Sequence, residues 1–339
     1  MKLKINELNK LVYKIFTKYN LSKKHAKICS DAIINAELVG AHSHGLSRLK
    51  MYCERIKRKV INPKPKIKIK KLSQSISLID ADNSIGFVAA DIGINQSIKN
   101  ASKSGISLVA IKNSGHFGLS GYYLKKAAKK NLISLCFTNA PPAIAPFGSK
   151  KKLFGTNPIA FATPTNSKIP FIFDASMSKI NRGKIRVAEK NNKKIEYGVA
   201  LDKSGNVTTN AKKALKGVQL PIAEFKGSGL AWMVDILAGV FSGAGHGGKV
   251  KDPFDDFTGP QNVGHIFITF KSNLFTSNYK KRIGDNIRIV KSLPKIKSKN
   301  EIMYPGQNKN KRYIFNKKKN TIYFSNKINK EIEYLLKND

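Results

Sequence analysis

The spacing of apolar residues predicts helices at the start of the chain. Apolar side chains recur every three or four positions in the first stretch, which is typical of one buried helical face. Ser22 is suited to cap the start of a second amphipathic helix, and Gly40 is suited to end it. We therefore predict two packed helices before residue 40. The apolar positions of the first are Leu8, Leu11, Val12, Ile15 and Phe16.

From about Ser75 the pattern changes to short apolar runs separated by segments with helical spacing. Pro63 and Pro65 break the chain before this change and predict a domain boundary there. The alternation of strands and helices is typical of an α/β layer with a largely buried sheet. Strands are predicted at 76–82, 106–111, 132–137 and 171–176, and helices at 87–104, 119–130 and, as a buried helix, within 226–241.

The composition is that of a globular protein and excludes several classes. With 339 residues, 41% of them apolar, the chain can bury a large core and form two domains. The longest apolar-rich segment, 230–241, contains Asp235 and is too short to span a bilayer, and the N-terminus lacks the apolar stretch of a secretory signal. Three widely spaced cysteines argue against a disulfide framework or a zinc site. We therefore expect a cytoplasmic protein without a membrane segment or a metal site.

The net charge of +41 raises the alternative of a protein that binds polyanions. Only eight of the 62 basic residues are arginine, and the lysines are dispersed, whereas nucleic-acid readers concentrate cations on one face and use arginine forks. The strongest candidate patch is Lys64–Lys71, K-P-K-I-K-I-K-K. Its alternation also fits an exposed edge strand or a linker, where lysines deter edge pairing. We therefore expect solvated lysines and no nucleic-acid partner.

Histidines are concentrated in two glycine-flanked motifs in the first third of the chain. The first, A-H-S-H-G-L-S-R, covers residues 41–48, and the second, N-S-G-H-F-G, covers 113–118. Histidine both accepts and donates a proton near neutral pH, and a guanidinium matches a carboxylate. This inventory suits proton transfer on a small carboxylate substrate, although glycine turns with structural histidines remain the alternative. The candidates are Ser43, His44, Arg48 and His116.

Three further segments allow a ligand-binding or a structural interpretation. D-A-S at 174–176 ends a predicted strand, where it can bond a ribose or cap a turn. K-G-S-G-L at 226–230 opens a helix, where glycines admit a phosphate or close packing. G-A-G-H-G-G at 243–248 formally matches the dinucleotide fingerprint G-x-G-x-x-G. Because it follows a helix and Pro253 disfavours a helix after it, we reject a Rossmann turn there.

The ordered combination of these motifs closely resembles the type-2 malate/L-lactate dehydrogenase family, which also contains ureidoglycolate and sulfolactate dehydrogenases. Segments at 198–209, 261–267 and 304–307 extend the resemblance nearly end to end. The motifs that carry it are S-H-G-x-x-R near residue 45, N-S-G-H-F-G at 113, P-F-G-x-x-x-x-x-F-G-T-N-P-I-A-F at 146, D-A-S at 174 with R-G-K-I shortly after, and K-G-x-G-L at 226.

The resemblance implies a mixed α and β, non-Rossmann fold of nicotinamide-dependent dehydrogenases. A helical part would come from both chain ends, residues 1–74 with about 275–339, and a central α/β cofactor-binding part from residues 75–274. It further implies a homodimer with active sites near the interface. The cofactor would be NAD or NADP, and the substrate a small 2-hydroxy or 2-oxo acid of the malate, lactate or ureidoglycolate type.

The resemblance also implies roles for individual residues. His116 would be the acid/base at the substrate hydroxyl, and Arg48 the clamp for the substrate carboxylate. Ser43 and His44 would orient the substrate. The implied cofactor-binding positions are Ala140, Asp174, Ala175, Ser176, Lys226 and Gly306.

Several positions depart from the family pattern. Ala140 stands where many relatives have Ser, so one cofactor hydrogen bond would be missing. Glu224 stands close to Lys226, where relatives have small residues, and Gln307 resembles the ureidoglycolate branch. These departures, together with the charge, leave a second hypothesis of a catalytically weakened basic protein that binds polyanions. The sequence leaves open which acid is the substrate and whether NAD or NADP is used.

Overall fold

The computed structural model describes residues 1–297 and 301–337. Two short 3₁₀ turns, at His42–His44 and Leu46–Arg48, follow the second α-helix of the chain. A π-helical turn, Ile236–Phe241, continues the eighth α-helix. The helices are α1 (Ile5–Lys18), α2 (Lys23–Leu38), α3 (Leu49–Lys57), α4 (Gly86–Ser104), α5 (Ser120–Ala128), α6 (Arg182–Lys190), α7 (Ala211–Lys216), α8 (Phe225–Asp235), α9 (Tyr279–Ser292), α10 (Gln307–Lys319) and α11 (Asn326–Lys337). The strands are β1 (Lys2–Lys4), β2 (Lys68–Lys71), β3 (Ile76–Asp80), β4 (Ile106–Ser114), β5 (Leu132–Thr138), β6 (Ile159–Thr163), β7 (Phe171–Ala175), β8 (Ala200–Leu201), β9 (Val218–Gln219), β10 (Val263–Lys271) and β11 (Thr321–Tyr323).

The two predicted N-terminal helices are confirmed as α1 and α2. Of the five predicted apolar positions of α1, Leu11 is half-buried and the other four are fully buried. The Ser22 hydroxyl caps α2 by accepting the backbone N–H of His25 at 3.2 Å. The helix ends at Leu38, and Gly40 follows with φ +76°, a conformation that suits glycine at a helix end.

The two ends of the chain meet in one helical layer. Strand β1 pairs antiparallel with β11, and α11 packs against α1 and α3. Ile322, Ile332 and Leu335 from the C-terminal end share a core cluster with α1, α2 and α3. This layer is the helical part that the family resemblance implied, and the predicted fold class is confirmed.

The central sheet has seven strands in the order β2-β3-β4-β10-β5-β6-β7. The β3–β4 pair is parallel, and the other neighbouring pairs of this sheet are antiparallel. Neighbouring residues of β10 pack on opposite faces, because side chains alternate along a strand. Phe267 packs in the cluster that α4 and α5 cover, whereas Ile266 packs against Val234 and Ala238. The predicted strands and helices between residues 75 and 176 are all present.

The predicted buried helix within 226–241 is wrong in one respect. It forms α8 and the π-helical turn, but only one side of it is covered by the sheet. Trp232 is 57% exposed and Phe241 61% exposed. A helix with apolar residues on all of its faces is typically buried on every side. The rest of this chain, however, packs against only one side of this helix.

A small separate cluster flanks the sheet between residues 178 and 224. Helices α6 and α7 pack with the short β8–β9 pair, and Asn181 caps α6 by accepting the backbone N–H of Gly183 and Lys184. This unit matters because the first turn of α6 faces the largest cluster of predicted site residues. Its core residues are Ile185, Ile195, Val199, Ala200, Ala211 and Ala214.

The structure agrees with the predictions for the basic patch at 64–71 and for the glycine-rich segment at 243–248. Residues Lys68–Lys71 of the patch form β2, an exposed strand at the edge of the sheet. The segment 243–248 is a loop between the π-helical turn and an irregular stretch, so it is not a Rossmann turn. In the described part of the chain, every helix is too short or too polar to cross a bilayer.

Candidate active site

Seven of the ten predicted site residues line one cleft of about 400 Å³. The cleft is bounded by the 3₁₀ turns after α2, the loop after β4, the end of β7 and the first turn of α6. Segments that are distant in sequence thus converge on one cavity. The seven residues are Ser43, His44, Arg48, His116, Ala140, Asp174 and Ser176.

Glu37, a buried carboxylate near the end of α2, holds the first histidine motif. It accepts the backbone N–H of Leu46 at 2.8 Å and forms an ion pair with His42. A side chain at position 45 would collide with this carboxylate, so the glycine in S-H-G is required for the close approach. The turns therefore present Ser43 and His44 to the cleft in a fixed geometry.

A buried hydrogen-bond network fixes the second motif. The His265 ring bonds the Ser114 hydroxyl at 2.8 Å through Nε2 and the Thr138 hydroxyl at 2.7 Å through Nδ1. The backbone N–H of His116 donates to Oε1 of Gln261 at 3.1 Å. Burial lowers the pKa of His265 to about 3, so this ring is neutral and structural. Strand β10 and the segment just before it thus position the loop that carries His116.

Two neighbours contact the His116 ring and define which of its ring nitrogens is free. The Tyr52 hydroxyl bonds Nδ1 of His116 at 2.6 Å, and the His44 ring stacks with its centroid 5.8 Å away. The Ser43 hydroxyl bonds Nδ1 of His44 at 2.9 Å. Tyr52 is buried, and burial raises the pKa of its hydroxyl, which stays protonated. Nε2 of His116 is therefore the ring nitrogen left for a ligand in the cleft.

The electrostatics of the cleft keep both histidines neutral at pH 7. Burial lowers the pKa of His116 well below 6.5, and the neighbouring His44, Arg48 and His265 lower it further. Burial and then the charges of Arg48 and Lys309 lower the pKa of His44 to about 4. A neutral imidazole can accept a proton, so His116 is in the state that a general base requires.

Arg48 is anchored at one end and open at the other. Its Nε donates to the Ser43 carbonyl at 2.6 Å, and its guanidinium carbon lies 4.7 Å from the centre of the Phe254 ring. Its two terminal nitrogens make no hydrogen bond within the described residues. These terminal N–H groups can bind the two oxygens of a carboxylate.

Asp174 lies at the junction of the cleft and a smaller pocket of about 50 Å³. Its Oδ2 accepts the backbone N–H of Gly121 at 2.9 Å, burial raises its pKa, and the charge of Lys309 opposes that rise. Gly306 lines the smaller pocket, where its φ is +91°. The cleft thus combines the Asp174 carboxylate, the Ser176 hydroxyl and the Lys309 ammonium group. These hydrogen-bond donors and acceptors fit a nucleotide, which carries hydroxyls and phosphates.

The structure does not bring Ala175 and Lys226 into the cleft. Ala175 is paired with Ile159 in β7, and its side chain points away from the face that carries Asp174. Lys226 is exposed at the start of α8 and lies outside the lining of both cavities, as does Glu224. Their roles in cofactor binding stay predictions.

Two departures from the family pattern have visible local consequences. Ala140 lines the cleft with a methyl group, while its backbone N–H donates to Oδ1 of Asn157 at 3.1 Å. Gln307 is buried and donates to Glu301 at 2.7 Å, so its amide is occupied away from the cleft.

Sequence reasoning missed five cleft or supporting residues. The R-G-K-I motif contributes to the family resemblance, but the resemblance assigns no role to its arginine, Arg182. Tyr52 follows Arg48 by four residues, which places both on one helical face, and this spacing was available as a signal. Gln261 opens the segment 261–267 that extends the family resemblance, but its contact with His116 depends on a distant segment, and the positions of Arg186 and Lys309 had no local signal. The missed residues are Tyr52, Arg182, Arg186, Gln261 and Lys309.

Comparison with known proteins gives one consistent answer. The sequence model of the family described as malate/L-lactate dehydrogenase matches residues 3–333. The malate/(S)-sulfolactate dehydrogenase of Methanothermus fervidus is 36% identical over 305 residues, which cover 88% of this chain and 87% of that protein. The ureidoglycolate dehydrogenase (NAD(+)) of Escherichia coli O157:H7 is 32% identical over 91% of this chain and 88% of that protein.

The solved structures agree with the sequence relatives. The sulfolactate dehydrogenase from Methanocaldococcus jannaschii superposes with a TM-score of 0.92 at 34% identity, covering 99% of this chain and 96% of that chain. The match thus spans both the helical layer and the central sheet. The chain belongs to the malate/L-lactate dehydrogenase family.

Proposed function

We propose that this chain interconverts a small 2-hydroxy acid and its 2-oxo acid, with His116 as the group that takes and returns the hydroxyl proton. The observation that carries the proposal is the placement of a neutral His116 in one cavity with Arg48 and Asp174. The reaction class, an NAD(P)-dependent oxidoreductase acting on CH–OH groups of hydroxy acids, is confirmed by the family match and by relatives whose names carry NAD(+) or NADP(+). This match favours the dehydrogenase over the polyanion-binding alternative.

Proton transfer follows from the groups around His116. With the substrate carboxylate on the terminal nitrogens of Arg48, the substrate hydroxyl faces Nε2 of His116, which accepts its proton during oxidation. Hydride transfer, to or from the substrate carbon, is the chemistry that a nicotinamide cofactor would supply when bound in the cleft. The Tyr52 hydroxyl oxygen can accept a hydrogen bond from Nδ1–H of the resulting imidazolium, and Ser43 and His44 orient the substrate. In reduction, the protonated His116 returns its proton to the oxygen.

Asp174, Ser176 and Lys309 are the residues of the cleft that suit the cofactor. The Asp174 carboxylate can accept ribose hydroxyls, and Lys309 supplies a cation beside it for a phosphate. Ala140 contributes apolar surface. The choice between NAD and NADP rests on this end of the cleft and needs a direct measurement.

A panel of acids assayed with each cofactor tests the proposal. Malate, lactate and ureidoglycolate, and the corresponding 2-oxo acids where stable, are mixed with NAD or NADP in the matching redox state, and nicotinamide absorbance is followed. We expect turnover of at least one hydroxy/oxo pair and none without the acid. Absence of turnover with every acid, combined with salt-sensitive binding to DNA, would instead support the polyanion-binding alternative.

We also propose a homodimer whose interface includes the exposed apolar face of α8 and the π-helical turn. Monomeric proteins rarely expose a contiguous apolar patch of this kind. The family resemblance implies a homodimer with active sites near its interface. The residues of this face with the largest exposure are Phe225, Trp232, Ile236, Val240 and Phe241.

Sedimentation measures the dimer directly. Wild-type chain is expected at twice the monomer mass, and the Trp232→Glu, Ile236→Glu double variant is expected to dissociate because it places charge in the interface. Tyr323→Glu, which also replaces an exposed side chain but lies on β11, is the matched control and is expected to stay dimeric. A monomeric wild type at micromolar concentration contradicts the proposal.

The compartment and the domain boundaries complete the proposal. The three cysteines are free and buried, which is consistent with a reducing compartment such as the cytoplasm. We propose a helical part from residues 1–74 and about 275–339 and a central part from 75–274. Limited proteolysis checks the division, because first cleavage is expected near these boundaries and not within the sheet.

A further inference from the structure

Two arginines line the cleft on the side formed by α6. Both Arg182 and Arg186 border the same cavity as His116. The guanidinium carbon of Arg186 lies 5.2 Å from the centre of the Phe254 ring, and that of Arg48 lies 4.7 Å from the same centre. The Phe254 ring therefore contacts both Arg48, the predicted carboxylate clamp, and a second guanidinium, that of Arg186.

The guanidinium donors of these two arginines are not used by any other described residue. Nε of Arg182 is buried and has no hydrogen-bond partner among the described residues. In the same part of the chain, neither Arg182 nor Arg186 has a carboxylate within ion-pair distance. Asn181 already caps α6, so the arginine side chains, and not the helix N-terminus, are the available anion donors. A buried N–H group without a partner is costly unless a ligand satisfies it.

The negative groups of the cleft do not neutralise this pair. Oδ1 of Asp252 accepts the backbone N–H of Phe254 at 2.8 Å and of Asp255 at 3.3 Å, so its carboxylate holds its own turn. Asp174 lies at the cofactor end with Lys309 beside it. A substrate with a single carboxylate would occupy Arg48 and leave Arg182 and Arg186 unpaired.

We propose that Arg182 and Arg186 form a second anion-binding subsite, so that the preferred substrate carries a carboxylate or sulfonate at the end away from its hydroxy-carboxylate. The inference rests on the proposed function of the cleft. An anionic phosphate of the cofactor shares this chemistry. We assign the pair to the substrate because Arg186 shares the Phe254 ring with Arg48, the predicted carboxylate clamp.

Steady-state kinetics with two 2-oxo acids test the subsite. Oxaloacetate carries the second carboxylate and pyruvate lacks it, so kcat/KM is measured for both with wild type, Arg182→Gln and Arg186→Gln. Wild type is expected to prefer oxaloacetate by roughly 100-fold or more, because a site built for a polar group rejects an analogue without it. Each variant is expected to lose roughly 10- to 100-fold with oxaloacetate and less than about threefold with pyruvate.

Matched variants separate this role from a general effect of charge. Lys190→Gln removes one positive charge from the exposed end of the same helix and is expected to keep the wild-type preference. Arg186→Lys keeps the charge without the fork and is expected to recover part of the oxaloacetate activity. Arg186 is exposed, so its variants are expected to fold, and thermal unfolding checks this.

Each remaining outcome overturns a distinct statement. Equal losses with both acids, or a wild-type preference for pyruvate, overturn the subsite and leave the proposed dehydrogenase intact. A raised KM for the nicotinamide cofactor with an unchanged KM for oxaloacetate assigns the arginines to a cofactor phosphate and overturns the substrate assignment. Absence of turnover with every 2-oxo acid overturns the proposed function itself.

Discussion

The two walls of the cleft differ in how their side chains are held. The histidine wall, formed by His44 and His116 and supported from behind by Tyr52, is tied by hydrogen bonds to its own helices and loops, and burial lowers the pKa values of both histidines. The arginine wall, formed by Arg182 and Arg186, stands on a small unit outside the main core. Its side chains have no carboxylate partner in the described structure.

This difference follows from what each wall has to do. Proton transfer requires a base in a fixed position and in a known protonation state, and both come from burial and from a complete hydrogen-bond network. Anion recognition requires donors that are left free until a ligand arrives. We therefore expect variants of the histidine wall to affect all substrates, and variants of the arginine wall to discriminate among them.

The largest expected effect is at the centre of the histidine wall. His116→Asn removes the proton acceptor but keeps a polar side chain, so turnover is expected to fall by roughly 10²- to 10⁴-fold for every acid. Cofactor binding, measured by nicotinamide fluorescence, is expected to persist. His25→Asn on α2 is the matched control outside the cleft. Near-normal turnover of the His116 variant would remove this residue from the mechanism.

Arg48→Lys tests the predicted clamp for the substrate carboxylate, which lines the same cleft as both walls. The charge stays but the planar fork is lost, so KM is expected to rise by roughly 10- to 100-fold for oxaloacetate and pyruvate alike. Arg288→Lys on the exposed face of α9 is the control for the same exchange. An effect on one acid only would contradict a clamp for the carboxylate that all substrates share.

Tyr52→Phe sharpens the argument that the histidine wall is held from behind. It deletes the hydroxyl that bonds Nδ1 of His116 and keeps the buried ring, so kcat is expected to fall about 10-fold, equally for all acids, with KM little changed. Tyr323→Phe, at an exposed position of β11, is expected to behave as wild type. A selective loss for one acid would place Tyr52 in substrate recognition instead.

The pH dependence of oxidation follows from the lowered pKa of His116. Because that pKa lies well below 6.5, the base form dominates throughout pH 6.5–8. Protonation, and loss of the base, would come only at lower pH. We therefore expect kcat/KM for hydroxy acid oxidation to change by less than about twofold over this range. A half-maximal point at pH 6.5 or above would show that the His116 environment is more polar than the structure has it.

The smallest effect is expected far from both walls. Replacing the three lysines of β2 by glutamine removes charge from an exposed edge strand, and turnover at physiological salt is expected to stay within about 1.5-fold of wild type, because a Debye length of about 8 Å screens this charge. The exposed lysines of α10 allow a control with the same charge change. A tight, salt-sensitive complex of wild type with DNA that this change abolishes would contradict the interpretation of solvated lysines.

Secondary-structure elements could be predicted from the sequence better than contacts between distant segments. The helical period of α1, the cap at Ser22 and the edge character of β2 were predictable because each depends on neighbouring residues and solvent exposure. Ordered motifs also identified the family and seven residues of the cleft. The prediction of a buried helix within 226–241 is wrong for its exposed side, because the composition of an apolar segment does not tell which side the rest of the chain covers.

The sequence by itself thus determined the local elements, the chemistry available in its histidine motifs and the family. Only the tertiary structure decided which distant segments meet. Strand β10 inserts between β4 and β5 and thereby brings Gln261 and His265 behind His116. The folding of α6 against its own small core sets Arg186 across Phe254 from Arg48. Sheet order and packing fix such contacts, and no local periodicity encodes them.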